Sequence, residues 1–204
     1  MPDKQAKSHA LERMIFFSDA VIAIAITLLA LELPIPTGDS PGGLLRAFTG
    51  THGREYLAFL VAFGLIGGSW MGHHALFVYV ADSDNRLMVL NLMALFGFVA
   101  VPWATKTLGT AHGGVGLAVF SLVMTILVGS TLLLARYVVR AGLLEPGTPA
   151  AVLTRIWVML GVPTVMFAVS IPLAFVVRDF VILLWPVVYL GVAIYSRRSR
   201  RGGA

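Results

Sequence analysis

A carboxylate stands inside an apolar segment long enough to cross a bilayer. The stretch Arg13-Met-Ile-Phe-Phe17-Ser18-Asp19-Ala-Val-Ile-Ala-Ile24-Ala-Ile-Thr27-Leu28-Leu-Ala-Leu31-Glu32-Leu33 carries Asp19 near its basic end. An Asp within a membrane helix costs at least about 2.5 kcal/mol by insertion scales, so Asp19 must face protein or water. Other apolar runs hold Trp70, His73 and His74, and then Asn91. Asp19 follows Arg13 by six residues, Asn91 follows Arg86 by five, and His74 precedes Asp82 by eight. At about 1.5 Å per residue these groups lie roughly 8–12 Å inside one membrane boundary. Alone in lipid each would be costly, and one hydrogen-bonded cluster across three helices satisfies them together. That cluster is read first as a structural clasp. A proton-sensing role for the histidines is the functional alternative, because their ordinary pKa is near about 6.5. A metal site has less support: His73 and His74 point about 100° apart on a helix, with Asp19 the only nearby carboxylate.

The elements that position these groups follow from composition. Hydrophobic residues make up 58% of the chain and charged residues 12%, about half the charged share of a soluble domain. Mean hydropathy is +0.87. Apolar runs predict membrane helices near 14–34, 55–80, 87–108, 114–138, 154–177 and 179–196. The expectation is an all-α integral membrane protein in which 1–204 is a single six-helix domain. No internal repeat or low-complexity linker divides it. The first helix is expected to stay in the mature protein, since the small-residue site Ala23-Ile-Ala25 falls inside the apolar run. Pro34 and Pro36 with Thr37-Gly38 end that helix and open an outer loop.

The net charge of +5 does not point to nucleic acid. With six spans both termini share a side, and eleven of the fifteen Lys and Arg residues fall there. Only Arg46, Arg54, Lys106 and Arg178 fall on the other. This positive-inside bias predicts cytoplasmic termini, with 1–13 a cytoplasmic N-terminus and 197–204 a basic tail touching anionic lipid. The chain contains no cysteine, which excludes disulfides, thiolate metal sites and a Cys nucleophile.

The first helix has a second face. At about 100° per residue, Leu28 and Leu31 lie within about 40° of Ile24, and Thr27 within about 60°. Asp19 lies about 140° away. If Asp19 turns into its own subunit, Ile24, Thr27, Leu28 and Leu31 turn outward as one stripe. That stripe meets lipid in a monomer, or surrounds an axis in a symmetric oligomer.

Arg13-x-x-x-Phe17-Ser18-Asp19, followed by Ile24 and Thr27 in an apolar helix, resembles the signature of the transmembrane protein 175 family. Trp70-x-x-His73-His74-x-x-Phe77 supports the likeness, as do Asn91-Leu92 and Val101-Pro102-Trp103. It covers roughly residues 10–108, and Trp103 departs from the Phe expected there. The resemblance implies a potassium channel: a homotetramer of six-helix subunits in the cell membrane, with the first helix lining a central pore. It implies a constriction at Ile24, further hydrophobic layers at Leu28 and Leu31, and selectivity associated with Thr27. Arg13, Ser18, Asp19, Trp70, His73, His74 and Asn91 become a polar network behind the pore. Potassium is the implied permeant, with protons and other monovalent cations as further candidates and no cofactor. The carbonyl filter Thr-Val-Gly-Tyr-Gly of common potassium channels does not occur here.

Two other functions compete. A proton- or ion-coupled secondary transporter would use Asp19 and the histidines, but Pro163 and Pro172 have no counterpart in a second half. An intramembrane hydrolase would pair Ser69 with His73 one turn on, although Met71 stands where a Gly-x-Ser-x-Gly string needs glycine. More simply, Gly64, Gly67, Gly68 and Gly72 are expected to form a small-residue packing face.

Overall fold

The computed structural model describes residues 2–36, 40–177 and 180–201, with side chains described from 9 to 198 except at 41, 44, 47 and 51. Thr37-Gly38 and Arg178 therefore lie outside the described residues. The long helices are α1 (Pro2–Leu31), α3 (Gly53–Phe77), α4 (Asn85–Thr110), α5 (Val115–Arg140), α6 (Ala150–Val176) and α7 (Val181–Arg201). Each contains a stretch long and apolar enough to cross a membrane, so the six expected spans are present.

Their limits differ from the hydropathy estimate where polar residues continue a helix. α1 begins at Pro2 rather than near residue 14. Proline suits a first helical position, and Lys, Gln, Ala, Glu and Leu that follow are good helix formers regardless of polarity. For the same reason α7 runs through its arginines to Arg201. The connection between α1 and α3 is helical in part, with α2 (Pro41–Arg46) leading into a π-helical turn at Ala47–Thr51.

The antiparallel helices α4, α5 and α6 form the centre; α1 and α3 lie against α4, and α7 lies chiefly against α6. Close approach in this centre needs glycine. A Cβ on Gly97 of α4 would fall 2.5 Å from Leu127 Cα of α5. Gly114 takes φ +85 at the start of α5, where a Cβ would lie 2.3 Å from the carbonyl oxygen of Ala174. The glycine face expected on α3 is realised only in part. Gly68 meets Tyr189 and Gly72 meets Leu160, but nothing approaches Gly64 or Gly67 within 4 Å. Toward the end of the bundle where α7 begins, Trp185 is fully buried, stacks on Phe120 at 5.1 Å and donates its indole N–H to Ser170 at 3.1 Å.

One end of the bundle is tied by backbone. The amide of Ala81 donates to Leu143 at 2.8 Å and that of Glu145 to Tyr79 at 2.9 Å. These bonds join the α3–α4 and α5–α6 connections. Asp84 caps α4 there by accepting from the Leu87 amide at 2.7 Å. It also accepts from the Tyr137 hydroxyl. That hydrogen bond, aided by those from the Leu87 and Arg86 amides, holds the Asp84 carboxyl below its usual range.

Candidate permeation helix and its polar network

α1 has a sharply divided surface. Ile22, Ala25 and Leu29 are 1% exposed against α3 and α4. Ile24 is 59% exposed, Leu28 39% and Leu31 79%, and Thr27 is also exposed. The stripe identified on the helical wheel therefore faces away from the subunit's own core. Thr27 donates its hydroxyl proton to the Ile24 carbonyl at 2.8 Å. The oxygen keeps a lone pair on that outward face, the one side-chain acceptor between the Ile24 and Leu31 levels of the stripe.

The buried edge of α1 is held by a directional chain of hydrogen bonds. Ser18 donates to the Met14 carbonyl at 2.8 Å and accepts from Asn91 Nδ2 at 2.8 Å. With its amide nitrogen so committed, Asn91 offers Oδ1 to His73 Nε2 at 2.9 Å. His73 must then carry its proton on Nε2. The chain crosses from α3 through α4 to α1, and all three side chains are at most 2% exposed. His73 also packs on Phe77 and, edge to face, on Phe98.

Asp19 belongs to a different contact. It accepts the indole N–H of Trp70 at 2.9 Å, and Trp70 in turn lies against the ring of His74 at 5.6 Å. The expected single cluster is thus two: Ser18–Asn91–His73 and Asp19–Trp70–His74. Neighbouring residues on a helix point about 100° apart, so Ser18 and Asp19 cannot share a partner, nor can His73 and His74. Arg13 is exposed and stands outside both. Ser18 bridges to Asn91, a role the depth count alone did not assign to it. Among the described residues no three His, Asp or Glu side chains converge as metal ligands.

A contact at the C-terminal end of α1 was also missed. Lys106 pairs with Glu32 at 2.7 Å. The register was legible: Glu32 lies fourteen residues beyond Ser18 and Lys106 fifteen beyond Asn91. Parallel helices touching at one level therefore touch again at the other. Tyr56 closes the same end by donating to the Pro34 carbonyl at 2.7 Å.

The hydrolase arrangement is not formed. Ser69 donates to the Leu65 carbonyl at 2.9 Å and lies 3.3 Å from the Tyr189 hydroxyl, while His73 is engaged by Asn91. The serine proton is thus directed to backbone, and no hydrogen bond links Ser69 to His73 among the described residues.

Comparison with known proteins bears on this helix directly. The sequence profile described as endosomal/lysosomal potassium channel TMEM175 matches residues 13–102. A protein named as a potassium channel from Streptomyces collinus is 42% identical over 170 residues, covering 78% of this chain and 80% of that one. The chain belongs to the TMEM175 family. It is not an enzyme family. The mouse endosomal/lysosomal proton channel TMEM175 is 33% identical over 100 residues, 46% of this chain but 20% of that longer protein. The crystal structure of a lysosomal potassium-selective channel TMEM175 homolog from Chamaesiphon minutus superposes with a TM-score of 0.70 at 26% identity. That match covers 92% of this chain and 98% of that one. The six helices thus form the TMEM175 subunit fold, and the chain is a multi-pass membrane protein. The profile spans α1, α3 and most of α4, the three helices that the two hydrogen-bonded groups join.

Proposed function

We propose that this chain is one subunit of a homotetrameric, potassium-preferring cation channel of the cell membrane, with cytoplasmic termini and α1 of each copy lining the axis. All of 1–204 then acts as one channel domain. The observation that carries the reading is the outward stripe of α1, in which Ile24, Leu28 and Leu31 stay exposed although Ile22, Ala25 and Leu29 are buried. The potassium-channel name of the Streptomyces relative supports it.

In this arrangement Ile24 forms the narrowest ring. Four branched side chains about an axis exclude water and offer no oxygen to replace an ion's hydration shell, so the closed state is dry. Leu28 and Leu31 extend the apolar path. Thr27 supplies one acceptor per subunit beside it and favours a partly dehydrated cation. Ser18, Asn91, His73, Asp19 and Trp70 act behind the pore, fixing the rotation of α1 so that the stripe faces the axis. Protons and other monovalent cations are the further permeants to be measured, a question sharpened by the mouse relative's name.

Purified protein in liposomes with opposed potassium and sodium gradients tests the function. Potassium-driven flux with little sodium flux is expected. Flux that requires a proton gradient and vanishes in Asp19→Asn would instead establish a coupled transporter. Assembly is tested separately, because a cysteine at Ile24 would be the chain's sole thiol. Cross-linking between copies is expected; a monomer by native mass measurement with no cross-link would refute the axial placement of α1.

A further inference from the structure

A cleft of about 690 Å³ opens between α3, α6 and α7, away from the exposed stripe of α1. Arg155, Ser196, Arg197 and Tyr79 line it within the terminal turns at the end where the α3–α4 and α5–α6 connections are tied. Met71, Met159, Pro163 and Val192 line it one to two turns further toward the middle of the bundle. The lining is thus basic and polar at the membrane boundary and mostly apolar within, where His74, Trp70 and Tyr189 are the residues with polar atoms.

Two buried polar atoms of residues that line it have no partner among the described residues. Arg155 is 9% exposed and its Nε is unbonded, and Ser196 is 8% exposed with an unbonded Oγ. A buried guanidinium N–H without an acceptor is costly. The Asp84 carboxylate at this end is occupied by the Leu87 amide and the Tyr137 hydroxyl. Meanwhile Met71 is 57% exposed and Val78 59%, so the apolar wall opens sideways toward the hydrocarbon of the bilayer. An occupant matching both halves needs an anionic oxygen-rich head and a flexible apolar tail.

We propose that this cleft is a binding site for an anionic phospholipid drawn from the adjacent leaflet. The phosphate accepts from Arg155, Arg197 and the Ser196 hydroxyl, and an acyl chain fills the space against Met71, Met159 and Pro163. Basic pockets between membrane helices recognise head groups through this chemistry. A free inorganic phosphate shares the head-group contacts but leaves the apolar part of the cleft empty. Trp70 also lines the cleft and donates to Asp19, so the lipid would rest against a side chain that contacts α1.

Detergent-purified protein, supplied with phosphatidylglycerol or phosphatidylcholine of equal chain length, is examined by native mass spectrometry and thermal unfolding. Selective retention of one phosphatidylglycerol per chain and a raised Tm are expected. Arg155→Gln should weaken retention at least about fivefold, the factor that one interfacial arginine contributes. Arg140→Gln, an exposed α5 position at the same end, should leave it unchanged. Ala193→Phe fills the cleft from an exposed α7 position without touching a charge, and should lower retention even if Arg155→Gln fails to fold. Equal retention of both lipids overturns the proposal, as does retention unaltered in Ala193→Phe. Protection by millimolar inorganic phosphate equal to that by phosphatidylglycerol would overturn it in favour of a free-anion site.

Discussion

Replacing Asn91 by leucine removes two helix-to-helix hydrogen bonds while keeping the number and branching of the side-chain heavy atoms. One joins α4 to Ser18 of α1 at 2.8 Å and the other joins it to His73 of α3 at 2.9 Å. Ser18 remains satisfied after the change because its own proton still goes to the Met14 carbonyl. His73 does not: its Nε2–H is buried with no other acceptor. Each interhelical bond in a membrane protein is worth about 0.6 kcal/mol on average and up to about 1.7. The orphaned donor adds about 1–3 kcal/mol. Asn91→Leu should therefore destabilise by roughly 2–6 kcal/mol. Reversible unfolding in mixed micelles, followed by circular dichroism, measures this. The companion is Ser18→Ala, which should couple to Asn91→Leu by about one such bond in a double-mutant cycle. A loss below about 0.5 kcal/mol for Asn91→Leu, the size of an ordinary surface substitution, would refute the reasoning. So would strict additivity of the pair.

Ile24→Ala and Ile24→Asn should both raise cation flux and reduce discrimination between potassium and sodium, since each widens or wets the constriction. The control Ile22→Ala, at a site 1% exposed, should lower Tm while leaving selectivity unchanged. Thr27→Val removes one outward oxygen per subunit at nearly equal volume, and should shift the potassium-to-sodium flux ratio more than the basal leak. Asp84, whose carboxyl is held below 3.8 chiefly by the Tyr137 hydroxyl, stabilises the fold fully above that value and loses the contribution as pH falls through its lower folded pKa. Tyr137→Phe should flatten this acid-side loss in thermal unfolding between neutral pH and about pH 3, where carboxylates titrate.

The length of each apolar run was enough to count six spans, because a bilayer demands about twenty apolar residues per crossing whatever the neighbours do. Depth was legible for the same reason: a fixed rise per residue placed Asp19, His74 and Asn91 at one level and let the α1 stripe be drawn on a wheel. Helix ends were not legible from hydropathy, since α1 and α7 continue into charged sequence that hydrogen-bonds its own backbone as well as apolar sequence does. What depth cannot supply is rotation. Whether Asn91 meets Ser18 or Asp19 depends on how α1 is turned against α4, and that is decided by the packing of Ile22, Ala25 and Leu29. Only with that rotation settled do Asp19 and Ser18 part company, Glu32 find Lys106, and a cleft form beneath Arg155. A residue's height in the membrane is a property of one helix, but its partner is a property of two.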